Sequence, residues 1–462
     1  MNELLTLTGL GLFSMIAEIF NFRKAIFPVI VVGLLGLLGL CYMDWGSYNS
    51  TVTHFSMIRV DNFSIAFTGV LTATALYWFL MSRSFFADET NMSDHFSLVL
   101  FALTGAFCLT SFTNMTMLFL GIEVLSLPVY VLAGSRKRDV ASNEASFKYF
   151  LMGSFASAVF LFGTAFIYGA TGSFNLENIA SYVATQVQLS PLFLVGLLLI
   201  LAAMAFKVGA APFHFWTPDV YQGAPTIVTA FMSTIVKTAA VAAFFRLFHL
   251  SFSGAQGQYT DIIWAMAALT MVVGNVIAAA QDNVKRLLAY SSVGHAGFMM
   301  ISILIMDSFS AKSLLYYSAA YSAAGIAAFL VMYLVGSANN GETPIDAFNG
   351  LVKRNPVMAG TMTMALLSMS GIPPLAGFFA KYFIFVSALQ NGYIWLVVIA
   401  ILSSLVGVYY YFKIIISMFF GKPDNLPTYF LTPIHRFLLL FVSIVIVLTG
   451  LFPDFVMGLM TL

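Results

Sequence analysis

The amino-acid sequence predicts an all-α polytopic membrane protein of about fourteen transmembrane helices, with two inverted five-helix repeats that each contain a broken helix. Three observations predict it. The first is composition: 60% of the 462 residues are hydrophobic, only 8% are charged, and mean hydropathy is +0.93. No water-soluble fold covers that much apolar surface with polar groups, so the solvent is lipid. The second is the recurrence of apolar runs of about 20 residues, the length that crosses a bilayer as a helix. The third is that two of these runs, at matching places in the two halves, are interrupted by glycine and proline.

In chain order the runs fall near 4–20, 25–43, 62–82, 96–113, 115–133, 145–170, 190–208, 226–249, 260–280, 287–306, 312–336, 355–388, 393–420 and 433–455. The first lacks a basic lead-in and a small-residue cleavage site, and is expected to be a span rather than a signal peptide. Connectors such as DWGSYNSTVTHFSMIRVD, SRSFFADETNMSD, GSRKRDVASNEAS and GSANNGETPIDAFNGLVKRN supply turn residues. The tail after Pro453 is expected to be too short for another element. The chain then divides into three N-terminal helices (1–95), a first repeat of helices 4–8 (96–249), a second repeat of helices 9–13 (260–420) and a fourteenth helix (421–462).

Orientation follows from the basic residues. Loops after odd-numbered spans hold Arg23, Lys24, Arg83, Arg136, Lys137, Arg138, Lys148, Lys285, Arg286, Lys353, Arg354, Lys422 and Arg436, against Arg59, Arg246 and Lys312 on the other side. The positive-inside rule places the first set in the cytoplasm, so both termini are expected to face outward. A net charge of +1 without a long basic cluster argues against nucleic acid as a partner. Cys41 and Cys108 lie inside apolar runs and read as small core residues rather than a disulfide or metal pair. No Walker loop, dinucleotide fingerprint or CxxC set occurs, so no cofactor, nucleotide, metal or redox site is expected in this chain.

The interrupted runs are the seventh, AAMAFKVGAAPFHFWTPDVYQGAPT, with Gly209 and Pro212, and the twelfth, LLSMSGIPPLAGFFAKYF, with Gly371, Pro373 and Pro374. Proline removes an amide donor and clashes with the preceding turn, so each helix is expected to break there and expose backbone groups. Irregular backbone at membrane depth is tolerated only where protein or a water-filled cavity satisfies it. Aligning the two segments puts Gly209 on Gly371 and Pro212 on Pro374, and the two runs cross the bilayer in opposite directions. That pairing predicts inverted repeats of the kind found in ion transporters.

Three lysines, Lys207, Lys237 and Lys381, sit in apolar runs, as does Glu123. A charged group near the bilayer centre costs roughly 2.5–3.5 kcal/mol, and such residues mark ion or proton pathways by default. A carboxylate in hydrocarbon needs a neighbouring cation to stay ionised, and Lys207 is the expected partner of Glu123. Lys237 is expected to carry the proton onward along the membrane plane, His295 to relay it, and Lys381 to stand at the far end. Ser233, Thr234, Thr238, Ser291 and Ser292 can hold intervening water, or simply pack helices. A packed, hydrogen-bonded histidine is the plain alternative for His295, and snorkelling to the surface the plain alternative for Lys381. Glu144, at the start of span 6, suits either a helix cap or a functional acid. Glu18 and Asp219, near span ends, are expected to meet water or headgroups.

The stretches GIEVLSLPVYVLAG, ASFKYFLMGSFASAVFLFGTAFIYGATGS, FKVGAAPFHFWTPDVYQGAPT, QDNVKRLLAYSSVGHAGF and SGIPPLAGFFAKYF resemble the antiporter-like membrane subunits of respiratory complex I, over most of residues 115–390. Within that family, lysine at 381 separates the chain from the branch with glutamate in the second broken helix. The lack of a long amphipathic C-terminal helix separates it from another. The resemblance implies that Glu123, Lys207, Lys237 and Lys381 lie on the proton pathway, with His295 as a bridge. It implies neighbouring membrane subunits as partners, and NADH, FMN, iron–sulfur clusters and quinone bound elsewhere in the complex. Fourteen spans point to the bacterial form, in an inner membrane with periplasmic termini. Two other readings remain open on the sequence: a subunit of a multi-subunit Na+/H+ antiporter, and a scaffold that keeps charges without moving ions.

Overall fold

The structure is a computed structural model that describes residues 2–20, 22–45, 53–86, 92–339, 341–422, 429 and 431–459. Parts of the expected connectors after the second and third spans, 46–52 and 87–91, lie outside the described residues. The helices begin α1 (Asn2–Ile19), α2 (Arg23–Asp44), α3 (Asn62–Phe86), α4 (Met92–Ser111), α5 (Met115–Ala133) and α6 (Val140–Thr171). A small hairpin pairs β1 (Thr53–His54) with β2 (Ile58–Arg59), Thr53 opposite Arg59. There follow α7 (Leu176–Thr185), α8 (Pro191–Val208), α9 (Trp216–Gly223), α10 (Thr226–Phe231), α11 (Lys237–Leu247), α12 (Thr260–Ala279), α13 (Val284–Ile305) and α14 (Ser308–Ser337). The last group is α15 (Leu351–Arg354), α16 (Pro356–Ser370), α17 (Ala376–Gln390), α18 (Ile394–Phe420), α19 (Pro433–Leu451) and α20 (Pro453–Leu459).

Twelve of these helical stretches among the described residues are long and apolar enough to cross a membrane, with α10 to the end of the 3-10 turn at Gln258 forming one of them. The shorter apolar helices α16 and α17 lie on either side of the second break. Starts are fixed by capping side chains in the connectors. Asn114, Asp139, Ser190, Asn283, Asp307, Asn355 and Thr432 each accept a bond from a backbone amide of the first turn they precede, and Pro191, Pro356 and Pro433 open their helices where a missing amide costs nothing.

Three short helices depart from the expectation. The segment after Pro453 forms α20, because proline at the first position presets the helical backbone even over seven residues. Helix α7 is a strongly amphipathic piece capped by Asn175, with Leu176, Ile179 and Val183 buried along one stripe. Helix α9 resumes the seventh span beyond its break. The span expected at 226–249 runs on to Gln258, with π-helical turns at Met232–Val236 and Phe248–Phe252. It occupies the centre of the bundle, and every residue of α11 is buried. By contrast α6 and α18 expose Phe147, Phe155, Leu402 and Tyr409 on the perimeter.

Candidate functional site

Both breaks are built the same way. Helix α8 ends at Gly209 (φ 73°), whose amide returns to the carbonyls of Ala205 and Phe206, and Ala210 N–H reaches Ala205 O at 2.9 Å. Helix α16 ends at Gly371 (φ 84°), whose amide returns to Leu367 and Ser368, and Ile372 N–H reaches Leu367 O at 3.1 Å. A left-handed residue at this position is the standard helix stop, and glycine takes it without steric cost. Pro212 and Pro374 come next, each after a cis peptide bond. The expected exposure of backbone is present at both. Trp216 Nε1–H donates to Phe206 O at 3.2 Å, and Ala211 N–H donates to Thr270 Oγ1 at 2.9 Å. In the second break the freed carbonyl of Ser370 takes the Lys381 ammonium at 2.8 Å.

The ionisable groups divide into Glu123 and Lys207, which are partly buried, and Lys237, His295 and Lys381, which are buried. Glu123, on α5, accepts the Ser157 hydroxyl at 2.5 Å. In place of the expected direct pairing with Glu123, Lys207 Nζ donates to Ser126 Oγ at 3.1 Å, one helical turn beyond Glu123 on the same face of α5. Among the described residues no ion pair within 4.0 Å joins Glu123 to Lys207. A cavity of about 20 Å³ bounded by Ser126 and Lys207 also touches Val236 and Ala240, on the helix that carries Lys237.

Lys237, 3% exposed, donates to Ser292 Oγ at 2.6 Å and to Ser292 O at 2.7 Å. It directly follows the π turn at 232–236. One extra residue in a turn rotates the downstream side chains by roughly 100°, which redirects the lysine relative to the α10 face. Ser292, His295 and Phe298 lie three residues apart on α13 and therefore share a face. His295 is bracketed by two phenols, Tyr317 at 2.6 Å from Nδ1 and Tyr411 at 3.1 Å from Nε2. The Tyr411 hydroxyl also meets the Ser291 hydroxyl. Lys381 is 7% exposed, lies 5.2 Å above the Phe298 ring, and donates to Ser404 Oγ at 2.7 Å. With both its bonds pointing inward, Lys381 does not snorkel. Beside His295 a small cavity reaches the backbone region of the second break at Ser368 and Gly377.

Other expected roles shift. Of the hydroxyls expected to hold water or pack helices, Ser292 binds lysine directly and Ser291 binds Tyr411. Ser233 and Thr234 bond back to Ala230 O within their own helix, and Thr238 pairs with Ser322 at 3.1 Å. Glu144 is not a cap, since Asp139 caps α6. It is exposed and holds Lys148 at 2.7 Å, and Lys148 also holds Asp219 at 2.9 Å. Asp219 receives Arg286 at 2.9 Å, so it meets cations rather than water alone. Glu18 likewise pairs with Arg23.

Two arrangements escaped the sequence reading. Lys285, counted as a topology residue, is 6% exposed and gives its ammonium to the Ala224 carbonyl between α9 and α10. Arg246, 3% exposed at the other end of α11, is bidentate to Asp61 (2.9 and 3.0 Å) and donates to Phe112 O at 2.9 Å. Burial opposes ionisation of Asp61, yet Arg246, the Ser64 amide and Arg59 hold its carboxyl below the ordinary carboxylate range. A basic residue in a short connector gives no sign of which carbonyl or carboxylate will fold over it. Among the described residues no group of three or more His, Cys, Asp or Glu side chains is placed to hold a metal ion.

The family described as "NADH:quinone oxidoreductase/Mrp antiporter, TM" matches residues 113–407, which takes in both breaks, all three lysines, Glu123 and His295. The chain belongs to this family. Within the NADH:quinone oxidoreductase/Mrp antiporter family it is 44% identical to the NADH-quinone oxidoreductase subunit N of Cytophaga hutchinsonii, over 98% of both chains. It is 42% identical to subunit N of Flavobacterium psychrophilum over 100% of both. Among solved structures, it superposes with TM-score 0.83 on a chain of the respiratory complex I of Thermus thermophilus with bound aureothin, at 33% identity and 98% coverage of both chains. A chain of the Mrp complex of Dietzia sp. gives TM-score 0.89 at 22% identity, covering 99% of this chain and 95% of that one, which is a likeness of fold.

Proposed function

We propose that this chain is the subunit N type, proton-translocating membrane subunit of a bacterial NADH-quinone oxidoreductase, moving protons through Glu123, Lys207, Lys237, His295 and Lys381. The observation that carries the reading is that each of these side chains is tied to a hydroxyl, a phenol or a freed carbonyl, Lys207 to Ser126 on the helix of Glu123 and Lys237 to Ser292 on the helix of His295. Lysine serves such a path because it can release its proton when desolvated, and histidine because either ring nitrogen can hold or pass a proton. NADH, FMN, iron–sulfur clusters and quinone then belong to other subunits, and the neighbouring membrane subunits are the partners in the bilayer.

On the same reading the chain lies in the inner membrane, with the face carrying Arg136, Lys148 and Arg286 in the cytoplasm and both termini in the periplasm. It divides into helices 1–3 (1–95), inverted repeats at 96–249 and 260–420, and the last helix (421–462), an arrangement supported by the matched glycine stops at the two breaks.

A sodium/proton antiporter subunit is the competing assignment, favoured by the shared family and by shared fold at 22% identity, against 44% identity to a subunit N relative. Purifying the tagged chain from its native membranes separates them. Co-purification with NADH-oxidising, flavin- and iron–sulfur-containing subunits and sodium-independent proton uptake into vesicles are expected. Recovery with redox-free antiporter subunits, or a sodium requirement, would defeat the assignment.

A further inference from the structure

Helices α5 and α13 open in the same way. Asn114 caps one and Asn283 the other. Met115 N–H donates to Phe174 O at 2.9 Å and Leu176 N–H returns a bond to Thr113 O at 3.0 Å. At α13 Val284 N–H donates to Thr343 O at 2.8 Å and Ile345 N–H returns one to Asp282 O at 2.9 Å. The preceding helices also pack in a common register. A Cβ on Gly105, nine residues before Asn114, would meet the backbone nitrogen of Leu125, eleven residues after it; a Cβ on Gly274, nine before Asn283, would meet that of Gly294, eleven after.

In that register Glu123 and Ser292 correspond, each ninth after its asparagine. Counted back from the glycine stops, Lys207 stands two residues before Gly209, where the second half has Met369 before Gly371. The acid and the lysine of the first half thus have an uncharged serine and methionine as counterparts. Lys237 of the first half takes up the serine, its Nζ donating to both Ser292 Oγ and Ser292 O. The phenols of Tyr221 on α9 and Tyr321 on α14 face the same hydroxyl, and the Tyr321 ring centre lies 4.8 Å from that of His295. A hydroxyl accepts from an ammonium and donates to a neutral amine, whereas an ionised carboxylate only accepts and favours the charged lysine.

We propose that Ser292 is the positioning residue for Lys237: it fills the second half's counterpart of the Glu123 place with a hydroxyl, and so grips the lysine across the two halves without an acid to retain its proton. The assignment rests on the proton-translocating reading of the chain. With Lys237 charged, its N–H donates to Ser292 Oγ, and the serine's own proton turns to a phenol oxygen. With Lys237 neutral, the Ser292 O–H turns to the amine lone pair. The lysine gains or loses one proton while the serine keeps its own, so the pair stays satisfied in both states. The titratable groups facing it are His295 of α13, Tyr321 of α14 and Tyr221 of α9, with Lys207 of α8 across the small cavity bounded by Val236 and Ala240.

Opposite shifts of the pH profile test the assignment in the assembled complex, with NADH-driven proton uptake into vesicles compared with wild type at each pH. Ser292→Asp supplies the missing carboxylate, so Lys237 holds its proton: pumping should fall at neutral pH and recover about one to three pH units higher. Ser292→Ala removes an acceptor from the ammonium, so Lys237 gives up its proton sooner and pumping should fail first on the alkaline side, roughly one pH unit early. Ser292→Asn matches aspartate in size but both donates and accepts, and should keep the wild-type profile. Packing alone would move aspartate and asparagine together, and that result overturns the assignment. If Ser292→Asp does not assemble, Ser292→Ala decides, and a wild-type profile there overturns it equally. Lys237→Ala in parallel keeps the two readings apart: lost pumping there with unshifted Ser292 variants defeats only the role of Ser292. Normal pumping in all of them defeats the translocation reading as well.

Discussion

Each of the three lysines is held differently, and the difference assigns it a different sensitivity. Lys237 and Lys381 each give bonds to a backbone carbonyl and a serine hydroxyl inside the bundle, whereas Lys207 has the Ser126 hydroxyl and the electrostatic company of Glu123. Serine and carbonyl groups satisfy an ammonium without fixing its charge, which suits a group that must lose and regain a proton. Arginine at 381 would keep the charge and the Ser370 and Ser404 contacts, yet a guanidinium does not deprotonate in proteins. Lys381→Arg is therefore expected to assemble and to lose pumping about as severely as Lys381→Ala, measured as proton uptake into vesicles alongside quinone reductase activity. Near-normal pumping with arginine would remove Lys381 from the path.

At the scale of elements, the central helix α11 is fixed at its outer end by Arg246, which binds Asp61 just before α3 and the Phe112 carbonyl after α4. The Phe63 and Phe245 rings stack at 5.7 Å beside it. Removing one partner of a buried ion pair strands the other, at a cost of about 3 kcal/mol. Asp61→Asn should accordingly lower the unfolding midpoint of the purified complex's membrane arm in detergent, seen by following this chain's protection from proteolysis. The Asp61 carboxyl titrates below its unfolded value, so its contribution is complete at neutral pH and is lost only as pH falls through the depressed value. The loss caused by Asp61→Asn should therefore be largest at neutral pH and shrink toward strongly acid pH. A constant difference across pH would show that packing, not charge, holds that end of α11.

For the whole molecule, the sequence made the spans, both breaks and the four intramembrane charges legible, because apolar run length, Gly–Pro interruptions and a charge in hydrocarbon are local signals. What it hid depends on which helices meet. The Lys207–Ser126 bond, the phenols around His295, the burial of Lys285 and the Tyr130 hydroxyl opposite Gly153 all arise from residues far apart in the chain. The π turns and α7, α9 and α20 were missed because short or irregular helices lack the periodic length that marks a span. The central claim is that the file from Glu123 to Lys381 conducts protons, and Lys237, through Ser292, ties α11 directly to α13 in the middle of that file. The decisive measurement is the number of protons taken up per NADH oxidised in vesicles carrying Lys237→Ala in the fully assembled complex. A fall in that ratio, with quinone reductase turnover slowed in step, is the predicted result, and wild-type stoichiometry at wild-type turnover would contradict it.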